Sequence, residues 1–294
     1  MNNFPKSELI LNNDGSVYHL HLLPQDIADT IITVGDPERV DMIAKFFDKI
    51  LLKKKNREFY TITGIYKSKH ISIISTGIGT DNIDIVLNEL NVLCKINLNT
   101  LEYNSNPRKL NIIRLGTSGT LRQEIPLGSF LISEYALGLE GLMNFYPIKY
   151  DTYEREYLHH ASSIITKDFE FLHPYIIGSS KELLQSLGNE MLKGTTATCQ
   201  GFYHPQGRFL WSERNNSILE SLSKISFQEK VITNFEMETS AILGLARYFN
   251  HEATSISLIL ANRITNEFID NAEKKMEELI ELCLDNIACM GNEI

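Results

Sequence analysis

The chain is short of basic charge: 28 Lys and Arg stand against 37 Asp and Glu, a formal net charge of −9 over 294 residues. Proteins that hold nucleic acid across a broad surface need cationic charge to displace phosphate counterions, so that class is excluded. A small anion site is still allowed, because a few arginines in one cleft barely alter the total. Long apolar runs are missing too. The longest, such as Ile71–Ile74 and Ser257–Ala261, are strand-sized, far below the ~20 residues of a membrane-spanning helix. The first residues, Met1-Asn2-Asn3-Phe4-Pro5-Lys6, show no basic region followed by an apolar stretch, so no secretory signal is read. Cysteine is sparse. Cys94, Cys199, Cys283 and Cys289 lack Cys-x-x-Cys spacing, which favours reduced thiols in a cytoplasmic protein over disulfides or zinc. The rest of the composition is ordinary, with 43% hydrophobic and 22% charged residues, ample for a large core.

Short β-like runs alternate with helical patterns. Thr30–Val34 is β-branched and ends at Gly35-Asp36-Pro37-Glu38-Arg39. There Asp36 can cap a helix with Pro37 at its first position and Val40, Ile43 and Ala44 on its apolar face. His70–Ser75 is a second run, followed by Thr76-Gly77-Ile78-Gly79 and a helix with Ile83, Val86, Leu87, Leu90 and Leu93 on one stripe. Leu110–Leu115 is a third, followed by a loop Gly116-Thr117-Ser118-Gly119. Ser129–Glu134 and Ala253–Ala261 read as further strands, and a closing helix spans about Asn271–Met290 with Met276, Leu279, Ile280, Cys283 and Ile287 inward. Strand, glycine turn and helix in repetition predict an α/β fold with a largely parallel or mixed sheet. Ligands in such folds gather at the carboxyl ends of strands, near helix amino termini. No linker or internal repeat divides the sequence, so residues 1–294 read as one domain. The tyrosine-rich, less regular stretch Tyr146–Leu192 reads as an insertion on the edge of the core.

Three sets of residues carry chemistry. The first is a group of arginines beside glycine or hydroxyl: Gly35 and Arg39, Arg57 in Asn56-Arg57-Glu58-Phe59, and Arg114-Leu115-Gly116-Thr117-Ser118-Gly119. Glycine lets backbone N–H groups approach an anion, and the guanidinium fork matches phosphate oxygens. The second is Phe202-Tyr203-His204-Pro205-Gln206-Gly207-Arg208. Phe202 can lie against a flat heterocycle, Gln206 offers donor and acceptor, and Arg208 can bind a carbonyl oxygen. The third is Asn234-Phe235-Glu236-Met237-Glu238, read as opening a helix of small residues. Its acids either serve the helix dipole or accept hydrogen bonds from paired sugar hydroxyls. Taken singly, each set is equally well a turn, a surface charge or a helix start.

Together, in the order Gly-Asp-Pro-x-Arg, Arg-Glu-Phe, Ser-Thr-Gly-Ile-Gly, Arg-x-Gly-Thr-x-Gly, Phe-Tyr-x-x-Gln-x-Arg, Glu-Met-Glu and Asn-Arg, they resemble the nucleoside phosphorylase-I superfamily, and within it the uridine phosphorylases. The resemblance runs from about Val17 to the final helix, apart from Tyr146–Leu192. It implies a single-domain three-layer α/β/α fold around a mixed, partly barrel-like sheet. The implied reaction is reversible phosphorolysis of uridine, and of deoxyuridine where tolerated, to uracil and ribose 1-phosphate, as in pyrimidine salvage. Phosphate is then a co-substrate bound by Gly35, Arg39, Arg114 and Thr117, with Arg57 reaching in from a neighbouring subunit. His19 would cross the same interface to the ribose 5′-hydroxyl, Met237 and Glu238 would contact the ribose with Glu236 in support, and Phe202, Gln206 and Arg208 would hold uracil. Arg208, Gln206 and Arg114 would carry the catalysis, with no metal and no organic cofactor. The active unit would be at least a homodimer, or a hexamer built from such dimers.

Several positions depart from the family pattern. Ser118 replaces a common threonine, and His204-Pro205 stands where relatives often have Pro-Gly. Some relatives hold a monovalent cation at the dimer interface near positions matching Glu58, Ile78 and Asn82, and position 82 is a serine in those relatives. Purine phosphorylases and related nucleosidases place an aspartate in the segment matching Ser257–Arg263, which here contains no acid. Those two activities, and a non-catalytic nucleoside-binding module, are the competing readings.

Overall fold

A computed structural model describes residues 4–211 and 218–290; Met1–Asn3 of the amino terminus lie outside the described residues. The strands are β1 (Thr30–Val34), β2 (Lys49–Asn56), β3 (Phe59–Tyr66), β4 (Lys69–Ser75), β5 (Ile96–Asn97), β6 (Glu102–Tyr103) and β7 (Asn111–Thr120). They continue as β8 (Phe130–Gly138), β9 (Tyr175–Gly178), β10 (Leu192–Thr198), β11 (Ser226–Phe227), β12 (Lys230–Glu236), β13 (Glu252–Asn262) and β14 (Glu267–Phe268). The helices are α1 (Pro37–Ala44), α2 (Thr80–Lys95), α3 (Thr152–Ile165), α4 (Lys181–Leu187), α5 (Ile218–Lys224), α6 (Thr239–Tyr248) and α7 (Ala272–Cys289).

The β-branched strand sequences assemble into one mixed sheet in the order β11-β12-β10-β8-β13-β7-β1-β4-β3-β2. β12 then returns to pair antiparallel with β7 through Asn234↔Thr120 and Phe235↔Gly119. Five strands, β12, β10, β8, β13 and β7, thereby close into a barrel, while β1, β4, β3 and β2 extend from β7 as an open wing. β1 runs parallel to both β4 and β7, whereas β8 and β13 are antiparallel.

Helices cover both faces. On one, Ile83, Val86, Leu87 and Leu90 of α2 pack with Ile242 and Leu245 of α6. On the other, Val40 and Ile43 of α1 meet Met276, Leu279, Ile280, Cys283 and Ile287 of α7. Each such buried aliphatic side chain stabilises the fold by about 1.5–3 kcal/mol. α1 begins as its sequence predicts, with the Asp36 carboxylate accepting from the Glu38 N–H and Pro37 in the first turn. The α/β/α layering around a partly closed sheet is thus the architecture expected.

Two readings need correction. β7 does not stop at Leu115. It runs through Gly116-Thr117-Ser118-Gly119 to Thr120 because its end is paired on both sides, with β13 and β12. The stretch 146–192 is not irregular: it holds α3, β9 and α4, and Tyr157 and Tyr175 are among the largest fully buried side chains. α3 opens with a reciprocal Asp151–Glu154 capping box, and the buried Glu154 carboxylate then binds Arg247 at 2.8 Å and accepts from the Gly178 N–H at 2.8 Å. Polar and aromatic residues on α3 hide its inward positions from a purely apolar pattern.

The turn between α6 and β13 carries a buried histidine. His251 Nδ1 accepts from the Leu110 N–H at 3.2 Å, while Nε2 has no partner among the described residues. Burial, with Lys95 and Lys109 nearby, pulls its pKa down from 6.5 to about 4. Above pH 6.5 neither folded nor unfolded chain protonates this ring. As pH falls below 6.5 the unfolded chain takes up the proton that the folded chain resists, so stability drains until about pH 4. Replacing His251 by Gln, which keeps an acceptor for Leu110, is expected to flatten the acid limb of stability against pH by up to about 3 kcal/mol. Urea unfolding at several pH values between 4 and 7 checks this, and parallel limbs for the two proteins would refute it.

Candidate active site

A cavity of about 710 Å³ opens where the carboxyl ends of β1, β4, β7, β10, β12 and β13 converge. Gly35, Arg39, Arg114, Thr117, Phe202, Gln206, Arg208, Glu236, Met237 and Glu238 all line it. Residues from three distant sequence motifs therefore share one pocket, at the strand ends where the α/β pattern places ligands.

Two guanidinium groups define one part of the pocket. Arg114 is fully buried on β7, and its side chain folds back over the backbone of Gly116, where a Cβ would lie only 1.8 Å from Nη1. That clearance, rather than a turn, is why glycine stands at position 116. Arg114 Nη2 binds Glu238 Oε2 at 2.5 Å and Glu236 Oε2 at 3.1 Å, while the buried Nη1 finds no acceptor among the described residues. Burial works against the Arg114 charge, yet the two carboxylates outweigh it and hold its pKa above the ordinary arginine value. Arg39, on α1, is depressed by burial and by repulsion from Arg114. An anion between the two would relieve that repulsion and supply the missing acceptor.

The two glutamates of Glu-Met-Glu do different work. Glu236 is the last residue of β12 rather than part of a first helical turn, and Glu238 is the residue preceding α6. Glu236 accepts from the Glu238 N–H at 2.9 Å, the Thr239 N–H at 2.9 and 3.1 Å, and the Thr198 hydroxyl at 2.8 Å. Burial, opposed by Arg114 and aided by Glu238, keeps its carboxyl above the usual carboxylate range. Glu238 accepts through Oε1 from the N–H of Gly79 at 2.7 Å. Gly79 sits at φ 90°, in the left-handed region open to glycine.

At the other part of the pocket, Gln206 is buried and its Oε1 accepts from Arg208 Nη1 at 2.8 Å. Arg208 also donates to the Phe202 carbonyl at 2.7 Å and lies over the Phe202 ring, 3.7 Å from its centroid. One face of the ring expected to meet a heterocycle thus carries a guanidinium. Leu260 and Ala261 of β13 and Phe268 of β14 complete an apolar wall.

Residues 29–288 match the phosphorylase superfamily. The chain belongs to that family. It is 31% identical over 92% of its length to the uridine phosphorylase of Thermococcus kodakarensis, covering 87% of that protein. It is 27% identical to the Escherichia coli uridine phosphorylase, over 87% of this chain and 90% of the relative. It is equally 27% identical to a DeoD-type purine nucleoside phosphorylase of Buchnera aphidicola, over 92% of this chain and 99% of the relative. Among solved structures, a Trypanosoma brucei nucleoside phosphorylase with uridine phosphorylase activity superposes with a TM-score of 0.85 at 25% identity, covering 95% of this chain and 99% of that one.

Within this phosphorylase fold, two predicted residues lie outside the chain's own pocket. His19 and Arg57 are neighbours on the surface: Asn56 Nδ2 donates to the His19 carbonyl at 2.7 Å, and Arg57 lies 5.3 Å from the Tyr18 ring centroid. Glu89 fixes His19, accepting from its backbone N–H at 2.8 Å with Nδ1 at 2.7 Å. Near the position read for a cation, Glu58 and Asn82 both pack against Gly77. Sequence reasoning gave no role to Arg263, which donates to the Gln206 and Gly207 carbonyls at 2.9 and 3.1 Å. The Asn262-Arg263 pair at a strand end was its signal.

Removing Glu236 would leave the Arg114 guanidinium only one of its two carboxylates, Glu238, and would strand two buried N–H donors and the Thr198 hydroxyl proton. With two buried backbone donors left unsatisfied, the Glu236→Ala protein is expected to lose about 2–5 kcal/mol of stability, read by chemical denaturation. A loss below about 1 kcal/mol, the size of an exposed pair, would contradict this anchoring role.

Proposed function

We propose that this protein catalyses the reversible phosphorolysis of uridine to uracil and ribose 1-phosphate. The observation that carries the reading is the joining, in one cavity, of the Arg39–Arg114 pair, the Glu238 carboxylate and the Gln206–Arg208 pair. Each suits one part of the reaction. Phosphate held by Gly35, Arg39, Arg114 and Thr117 lies below the anomeric carbon as the nucleophile, and its charge favours the oxocarbenium-like state. Glu238 accepts from the ribose 2′- and 3′-hydroxyls beside Met237. Arg208 and Gln206 meet the negative charge that develops on the departing uracil, a preorganised stabilisation of the leaving group. No protein nucleophile is required.

The Thermococcus and Escherichia relatives are uridine phosphorylases, which supports the pyrimidine substrate. So does the β13 end, whose pocket-lining residues Leu260 and Ala261 are apolar and carry no acid to protonate a purine ring nitrogen. The Buchnera relative is a purine enzyme, so inosine is the necessary control. Ultraviolet-monitored cleavage by the purified protein is expected to consume uridine only when phosphate is present, and to leave inosine untouched. Inosine cleavage would overturn the base assignment, and uridine loss without phosphate would indicate a nucleosidase. Binding without turnover would leave a binding module.

The reading also makes the working unit at least a dimer. The surface unit of Tyr18, His19 and Arg57 is held together by Asn56 and Glu89 but lies outside its own pocket, which suits a group reaching into a neighbour's site. Arg57 would then close on phosphate and His19 on the ribose 5′-hydroxyl. Co-expressed Arg57→Ala and Arg114→Ala chains test it. Each variant alone should be nearly inactive, whereas a random mixture should recover about a quarter of wild-type sites, because half the sites in a mixed dimer are intact. A mixture no better than its parents would refute site sharing.

A further inference from the structure

Glu238 occupies the position that ordinarily caps a helix, yet its side chain makes no capping hydrogen bond to α6. A capping side chain normally accepts from the N–H two or three residues on, and a buried helix start with unmet donors is costly. At α6 other residues meet the first of those donors. Glu236, from the end of β12, accepts from the N–H groups of Glu238 and Thr239. The next donor, the Ser240 N–H, goes to Thr198 Oγ1 at 2.9 Å, from the end of β10. Because that hydroxyl accepts from Ser240, its own proton is directed onto Glu236 Oε1 at 2.8 Å. Thr198 is fully buried, so no solvent substitutes for either bond.

We propose that Thr198 is a positioning residue: by capping Ser240 and bracing Glu236, it relieves Glu238 of the capping role and leaves that carboxylate facing the pocket. The substrate consequence rests on the phosphorolysis reading above, but the geometric one does not. Without the hydroxyl, Ser240 keeps a buried donor two residues after Glu238, the spacing at which a capping side chain accepts, and Glu238 turns to it at the expense of its bonds to Gly79 and Arg114. Nucleoside binding would then suffer more than anion binding, since Arg39 and the glycine backbone remain.

Two variants test this. Thr198→Val preserves shape and removes the hydroxyl, and Thr198→Ser preserves the hydroxyl. For Thr198→Val the KM for uridine is expected to rise about tenfold or more, the loss of a hydrogen bond to a charged group, while calorimetric affinity for inorganic phosphate changes less than about threefold. Thr198→Ser should restore the uridine KM. Equal weakening of both ligands, or an unchanged uridine KM, would overturn the proposal. A crystal structure of Thr198→Val decides the geometry independently of activity. Glu238 bonded to the Ser240 N–H supports the proposal, and Glu238 still on Gly79 and Arg114 refutes it. A wild-type protein that fails to cleave uridine would defeat the functional reading while leaving this structural outcome to be read.

Discussion

The structure depends on a buried ion cluster at the seam where the barrel closes. Arg114 comes from β7 and Glu236 from β12, the two strands whose short antiparallel pairing completes the barrel. Glu238 joins from the start of α6. In a water-poor interior three charges are tolerable only when every one is paired and hydrogen-bonded. The cluster meets that condition almost completely: Arg114 lines the cavity, and its buried Nη1 has no acceptor among the described residues. Closing the sheet and presenting a cation to a ligand are therefore the same event, and neither strand end can move without disturbing the pocket.

Within the cluster the two carboxylates are distinguished by their remaining capacity. Glu236 accepts from two backbone N–H groups, one hydroxyl and a guanidinium, which leaves it nothing to offer a ligand. Glu238 holds fewer partners, Gly79 and the pocket-lining Arg114, and on the proposed reading hydroxyls of an incoming sugar compete for it. Two chemically identical side chains two residues apart are thus divided into an anchor and a ligand-facing group by backbone direction, since β12 ends at the first and α6 begins after the second.

Much of this was readable from residue order. Asp36-Pro37 gave the start of α1, the Ile83–Leu93 stripe gave the buried face of α2, and the Met276–Ile287 spacing gave that of α7, because helix caps and 3.6-residue periodicity are local properties. The failures share a cause in long-range contact. Gly116 looks like a turn residue, but pairing with Ser257 of β13 keeps it inside β7, where its lack of a side chain leaves room for the Arg114 guanidinium two residues before it. Glu236 looks like a first-turn helix acid, but the pairing of β12 with β10 and β7 keeps it on a strand. The buried face of α3 was obscured because Tyr157 and Glu154 do the packing that Leu and Ile do elsewhere.

The pocket is unevenly built, and that bears on how one scaffold serves different bases. Its cationic side rests on barrel strands and a buried ion cluster. Its other side, the base side on the proposed reading, rests on the 199–208 loop, where Phe202 is 49% exposed and where Arg263, just past β13, donates to the Gln206 and Gly207 carbonyls. A mooring made to carbonyls is indifferent to side-chain identity, so residues on this loop can change without loosening it. A uridine and a purine phosphorylase each stand at 27% identity to this chain, so whole-chain identity does not choose the base. On the proposed reading, the discrimination between bases belongs to a few side chains on the loop and on the apolar end of β13, and those must be read one by one.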